Sequence, residues 1–177
     1  AASGPSGRNV LYLATPLDVA AREFSQPDEE LAAEMAVARR TLAALRSRRP
    51  RPSRDEKILT DGNGLAIAAL ALAGRTLDEP AYTQAAQRAC RFILTRLRRP
   101  DGRLRHSFCA GKARDEGFLD DYAFLIRGLL ELYETTFDPG YLETALALER
   151  DLEAHFWDET GEGFFFTADD GEPLLVR

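Results

Sequence analysis

The chain is poor in the residue types that advertise chemistry. Its 177 residues hold two histidines, two cysteines, one tryptophan and one methionine. Two isolated histidines without matching spacing do not form a metal site, so no metal is expected. Two cysteines do not make a disulfide framework. Cys90 falls on the apolar face of a helix pattern, where a thiol packs as a small hydrophobe, and Cys109 sits near a turn. Neither belongs to a Cys-x-x-Cys arrangement, which argues against a redox role and for a reducing, cytoplasmic compartment. A Gly-rich phosphate loop, a serine elbow and a zinc motif are all missing, so no cofactor is expected. No stretch approaches the roughly 20 apolar residues that cross a bilayer. Residues 1–8 (AASGPSGR) lack the apolar centre of a signal peptide and read as a flexible lead-in. Net positive charge is also lacking: 29 Asp and Glu outweigh 23 Lys and Arg, the net charge is −6, and the one basic run is Arg46–Lys57. That balance argues against nucleic acid, which needs a concentrated basic surface. The run reads as a solvated helix end and linker, since Arg is favourable near a helix C-terminus, rather than as an anion patch.

What is abundant is helical patterning. With 45% apolar and 29% charged residues, the composition is that of a globular protein. Two helical hairpins are written one after the other, at about 65–98 and about 119–157. Each has a nearly all-apolar first helix, a short turn and an amphipathic second helix. Leu65–Ala73 (LAIAALALA) has no charge, which predicts a helix buried on nearly every side. The second inner helix carries Phe124, Leu125, Leu129 and Leu130. The outer helices show one apolar face each: Ala86, Cys90, Ile93 and Leu97, then Ala145, Leu148, Leu152 and Phe156. Asp78 and Asp138 mark the turns, and Tyr82 and Tyr141 open the outer helices. The copies are offset by about 59 residues, longer than common solenoid repeats. Such units bury their surfaces only against neighbours. The reading is therefore a mainly α ring or stack of helical hairpins over residues 9–177, a piece of something larger.

The flanks are less regular. Asn9–Ala14 reads as a short strand, followed by a helix from Thr15-Pro16 to Phe24. A second helix starts at Pro27 and ends near Arg49, before Pro50 and Pro52 impose an extended linker. Pro100-Asp101-Gly102 is a turn, Arg103–Phe108 a short strand and Ala110-Gly111-Lys112 another turn. Gly163–Arg177 reads as a β-hairpin, FFFT against LLVR.

Several motifs in order carry a resemblance. Asp55–Leu65 (DEKILTDGNGL) is similar to the pattern D-D-K-x-L-T-x-W-N-G-L. Gly117–Phe124 matches GFLDDYAF, Thr136–Pro139 matches T-F-D-P, and Phe156-Trp157-Asp158 with Gly163–Thr167 resembles F-W-D…G-F-F-F-T. Together they resemble the YyaL and spermatogenesis-associated protein 20 family, over roughly Asn9–Arg177. The resemblance implies a thioredoxin-like domain joined to an (α/α)6 toroid of the six-hairpin glycosidase and N-acylglucosamine 2-epimerase type. That domain and the later hairpins would be partners of this segment in its parent. Gly62 departs from the pattern, standing where Trp is usual. The implied activity is a sugar epimerase, isomerase or glycosidase in the whole protein, with this segment inactive alone. The alternative is a non-catalytic scaffold serving the thioredoxin-like domain.

Within that frame, Asp120 and Asp121 head the second inner helix, where the resemblance places the toroid cavity. A carboxylate there suits a general base or an acceptor for a sugar hydroxyl. The plainer reading is one helix cap and one loop contact. Toroid sugar epimerases resemble one another in using His for proton transfer, which singles out His106; His155 reads as structural. In a hydrolase, Asp121 and an acid from outside the segment would flank the scissile bond. Tyr122 either binds a ligand through its hydroxyl or packs in the core. Asn63 either caps the first inner helix or donates to a ligand, and Lys57, clustered with Asp55 and Glu56, either binds a small carbohydrate or makes a salt bridge. Trp157 and Phe164–Phe166 offer a stacking platform or simple packing. Exposed inner-helix surfaces predict self-association.

Overall fold

The structure, a computed structural model, describes residues 12–172. The chain divides into two compact units, Ala1–Arg54 and Asp55–Arg177, where the sequence reading runs one toroid fragment through both. The first unit contains α1 (Leu17–Glu23) and α2 (Asp28–Ser47). Pro16 and Pro27 occupy their N-cap positions, and Asp28, Glu29 and Glu30 lie in the first turn of α2, where the helix dipole favours them. Of the strand expected at Asn9–Ala14, residues 9–11 lie outside the described residues and 12–14 are not in a strand.

The second unit holds the two hairpins. The first pairs α3 (Thr60–Thr76) with α4 (Pro80–Arg96); the second pairs α5 (Leu119–Thr136) with α6 (Pro139–Phe156). Their corners are built alike. Asp78 and Phe137 take left-handed backbone (φ 52° and 57°), and Glu79 and Asp138 then cap the next helix. Asp138 accepts from Gly140 N–H at 2.9 Å, and proline at the first helical position has no N–H to leave unpaired. The inner helices start at 60 and 119 and the outer at 80 and 139, so both layers keep one spacing.

The core is the seam between the helices. Ile67 and Ala71 of α3, Leu125, Leu129 and Leu132 of α5, and the apolar faces of α4 and α6 are buried together. Fully burying each large aliphatic side chain contributes roughly 1.5–3 kcal/mol. Cys90 is part of this seam, and burial pushes its thiol up to about 11. The inner helices approach closely. A Cβ on Gly64 would lie 2.5 Å from the Phe124 carbonyl carbon, and one on Gly128 would lie 2.8 Å from the Gly64 carbonyl oxygen.

Two expectations need correcting. The first inner helix begins at Thr60, five residues before Leu65, with Leu59 at its N-cap. Asn63 therefore caps nothing: it sits inside the helix and donates from Nδ2 to Leu59 O at 2.7 Å. Nor is α3 buried on nearly every side. It packs on α4 and α5 but leaves Leu65 and Leu72 44% and 43% exposed.

Three short strands cover one end of the hairpins. β1 (Ile58–Leu59), β2 (Arg105–Cys109) and β3 (Lys112–Glu116) form an antiparallel sheet in that order, with Leu59 opposite Ser107 and Ser107 opposite Arg114. Ala110 and Gly111 both have positive φ (50° and 80°) in the two-residue β2–β3 turn, the mirror-image geometry that matches strand twist. Near the C-terminus, β5 (Gly163–Phe164) pairs with β4 (Trp157–Asp158). Phe164, at the start of the FFFT segment expected to form a hairpin with LLVR, pairs with the preceding segment, and the LLVR half of that expectation lies outside the described residues. Trp157 and Phe164 are part-exposed and pack edge-on to each other at 5.0 Å.

Candidate functional site

The sheet delivers His106 to the start of α5. Its Nδ1 lies 3.1 Å and 3.0 Å from the two carboxylate oxygens of Asp121. Asp121 is completely buried (0% exposed) and accepts two backbone N–H groups as well. Phe118 N–H donates at 2.8 Å, closing the capping box at the head of α5, and Asp61 N–H donates at 2.9 Å from the first turn of α3. One carboxylate therefore satisfies orphan donors of two helices and holds the imidazole. Burial pushes the Asp121 carboxyl above the usual range, against the opposing pull of Phe118 N–H, His106 and Asp61 N–H. When Asp121 is ionised its oxygens only accept, so Nδ1–H is the donor of the pair, and a neutral ring then keeps Nε2 as its basic nitrogen. The ring is further fixed edge-on to Phe118 at 5.0 Å, and Phe118 stacks on Phe166 at 5.1 Å.

His106 opens onto a depression of about 380 Å³ lined also by Asp55, Lys57, Leu59, Ser107 and Asp115. Lys57 is exposed, and its Nζ lies 3.4 Å from Asp55. The backbone N–H of Lys57, before its ammonium, holds the Asp55 carboxyl below its usual value. Asp115 takes left-handed backbone (φ 58°) and accepts from Ser107 Oγ at 3.0 Å.

The structure brings together His106, Asp121 and Lys57 of the residues singled out above. Tyr122 lies apart from the depression: it is buried against Phe156, and its hydroxyl accepts from Leu104 N–H at 3.1 Å. Asn63 is spent on its own helix, and Asp120 is half-buried in the first turn of α5. His155 bonds Asp169 at 2.8 Å. Ser107, Asp115 and Asp61 were missed. Asp61 lies inside the T-D-G-N-G motif, but nothing local in the sequence marks Asp115. The ligand atoms of Asp61, His106 and Asp121 lie within 4.8 Å of one another. Both oxygens of Asp121 already accept N–H donors, so hydrogen bonding accounts for the grouping.

The fold is shared with sugar-active enzymes of known structure. The cellobiose 2-epimerase of Spirochaeta thermophila superimposes with a TM-score of 0.57 at 18% identity, over 62% of this chain and 28% of that one. A GH76 α-mannanase of Bacteroides thetaiotaomicron gives 0.59 at 19%, over 66% and 33%. The cellobiose 2-epimerase of Bacillus thermoamylovorans gives 0.59 at 22%, over 64% and 30%. At these identities the likeness shows the fold, and it places the hairpins in the α/α toroid class of six-hairpin glycosidases and cellobiose 2-epimerases. No family model matches the chain. In sequence it is 33% identical to human spermatogenesis-associated protein 20 over 185 residues, and 32% to the mouse protein over 181, each match covering 97% of this chain. The chain belongs to the spermatogenesis-associated protein 20 family and spans 23% of the length of these relatives. No helix among the described residues is long and apolar enough to cross a membrane.

Proposed function

We propose that this segment is part of a carbohydrate-active toroid in which His106 transfers protons on a sugar. The observation that carries the reading is the His106–Asp121 pair: a part-exposed imidazole held by a buried carboxylate, with Nε2 free to act as a base. A sugar in its open-chain form has an acidic C–H beside the carbonyl. Nε2 takes that proton, the C–H electrons form the C=C bond of an enediolate and the carbonyl π electrons move to its oxygen. Return of the proton to the neighbouring carbon, with the hydroxyl proton passing from the second oxygen to the first, isomerises an aldose to a ketose. Return to the opposite face of the same carbon epimerises it, and that requires a second acid. Asp121 positions the ring and does not touch the sugar, because a carboxylate with no exposed surface cannot reach it. For the same reason Asp121 is unsuited to act as a hydrolase nucleophile or base, so proton transfer is favoured over hydrolysis. Lys57, Asp55 and Asp115 supply the donors and acceptors that sugar hydroxyls need.

The test is solvent deuterium incorporation into a panel of mono- and disaccharides by the full-length protein. His106→Gln is expected to cut exchange by roughly 10²–10⁴-fold. Exchange that survives the substitution would remove His106 from the chemistry. A second reading, a non-catalytic scaffold for an attached thioredoxin-like domain, draws on the same geometry: every oxygen of Asp121 is used to join α3, α5 and β2. It predicts no exchange and no sugar binding.

A further inference from the structure

The segment after β5 straps one end of the second hairpin. Phe165 N–H donates to Phe156 O at 2.7 Å, at the end of α6, and Asp169 N–H donates to His155 O at 2.9 Å. Ala168, between these anchors, is buried in the core. Side chains tie the far end down: Asp169 bonds His155 at 2.8 Å, and Asp170 accepts from Arg103 at 2.6 Å. The strap fixes Phe166 twice at the head of α5. Its carbonyl oxygen accepts from Leu119 N–H at 3.0 Å, one of the orphan donors of that helix. Its ring lies 9° from parallel to Phe118 with the centroids 5.1 Å apart, the offset stack that the aromatic quadrupole favours.

Phe118 passes this placement on to His106. Its ring packs edge-on against the imidazole, the planes 67° apart and the centroids 5.0 Å apart. The bond from Nδ1 to Asp121 does not by itself fix the imidazole plane. The last torsion of a histidine is broad, and a hydrogen bond weakens steeply only after about 30° of tilt. Such a tilt carries Nε2, across the ring from Nδ1, by about 1 Å. A misplacement of that size at a reacting atom costs on the order of 10²-fold in rate. Packing against Phe118 narrows the tilt, and the stack with Phe166 holds Phe118 in turn.

We propose that Phe166 is a positioning residue for proton transfer at His106, acting through Phe118 to set the direction of Nε2. The inference rests on reading His106 as the proton-transfer group. Asp121 selects which nitrogen is basic, and the two phenylalanines select where that nitrogen points. In this role Phe166 governs turnover and leaves sugar binding alone.

The test uses the full-length protein carrying Phe166→Ala, Phe166→Leu or Phe166→Tyr, with circular dichroism to show that each variant folds. Histidine-selective NMR, with His106→Gln assigning the resonance, reads the imidazole directly. The His106 signal is expected to move in Phe166→Ala and in Phe166→Leu, which keeps the bulk without the flat face, and to return in Phe166→Tyr. In solvent deuterium incorporation into sugars, kcat is expected to fall about 10–10²-fold in the first two variants with KM within about twofold, and to recover in Phe166→Tyr. A His106 signal that stays in place in Phe166→Ala overturns the proposal. So does a raised KM at unchanged kcat, which makes Phe166 a binding residue. A signal that moves in a protein showing no exchange with any sugar upholds the grip of Phe166 on the imidazole and overturns the chemistry assigned to His106.

Discussion

Asp121 illustrates how one side chain couples folding to the site. Asp121→Ala leaves the N–H groups of Asp61 and Phe118 without their acceptor. At about 1–3 kcal/mol for each unmet donor, a loss of roughly 2–6 kcal/mol is expected in urea unfolding. Its pH signature has a definite sign. A carboxyl raised above its ordinary 3.8 in the folded chain contributes stability that is full below 3.8 and is lost as pH rises through the raised value. Asp170 behaves oppositely. Its hydrogen bond from Arg103, at 2.6 Å, lowers its pKa, so its contribution is present above 3.8 and is lost as pH falls through the lowered value. Unfolding free energy measured against pH should therefore lose its descending limb above 3.8 in Asp121→Asn and its ascending limb below 3.8 in Asp170→Asn.

Among the elements, α3 is the one whose glycines matter most, and they matter in opposite directions. Gly64→Ala places a methyl group 2.5 Å from the Phe124 backbone, where neither helix can yield by a side-chain rotation. Overpacking of this kind is expected to cost about 1–3 kcal/mol or more and to lower the thermal midpoint. A Cβ on Gly62 meets nothing within 4 Å, so Gly62→Ala should stabilise by about 0.4–1 kcal/mol in the same measurement. The hairpins were legible because their corners are written in the chain: an acidic cap, a proline and then an apolar face of period 3.6. The start of α3 was not legible, because Asp61-Gly62-Asn63-Gly64 reads locally as a turn. It becomes helix because Asp121, far along the chain, accepts the Asp61 N–H. The site divides in the same way. His106 stood out by rarity, and Asp121 by its place at a helix head. Their meeting depends on the β2–β3 hairpin, and Asp115 enters only through backbone that no local pattern signals.

For the whole molecule, the chain spans 23% of the length of its relatives in the family. Chemistry at His106 therefore has to be sought in the full-length protein, whereas folding can be followed in this chain. The two thiols supply the means. Cys109 is part-exposed on the β2–β3 hairpin, while Cys90 is buried in the helical seam with its thiol held up to about 11. An alkylating reagent at neutral pH is expected to mark Cys109 at once. Cys90 meets the reagent only in molecules whose helices have come apart, so the rate at which its mass shift appears counts unfolding events in undisturbed solution.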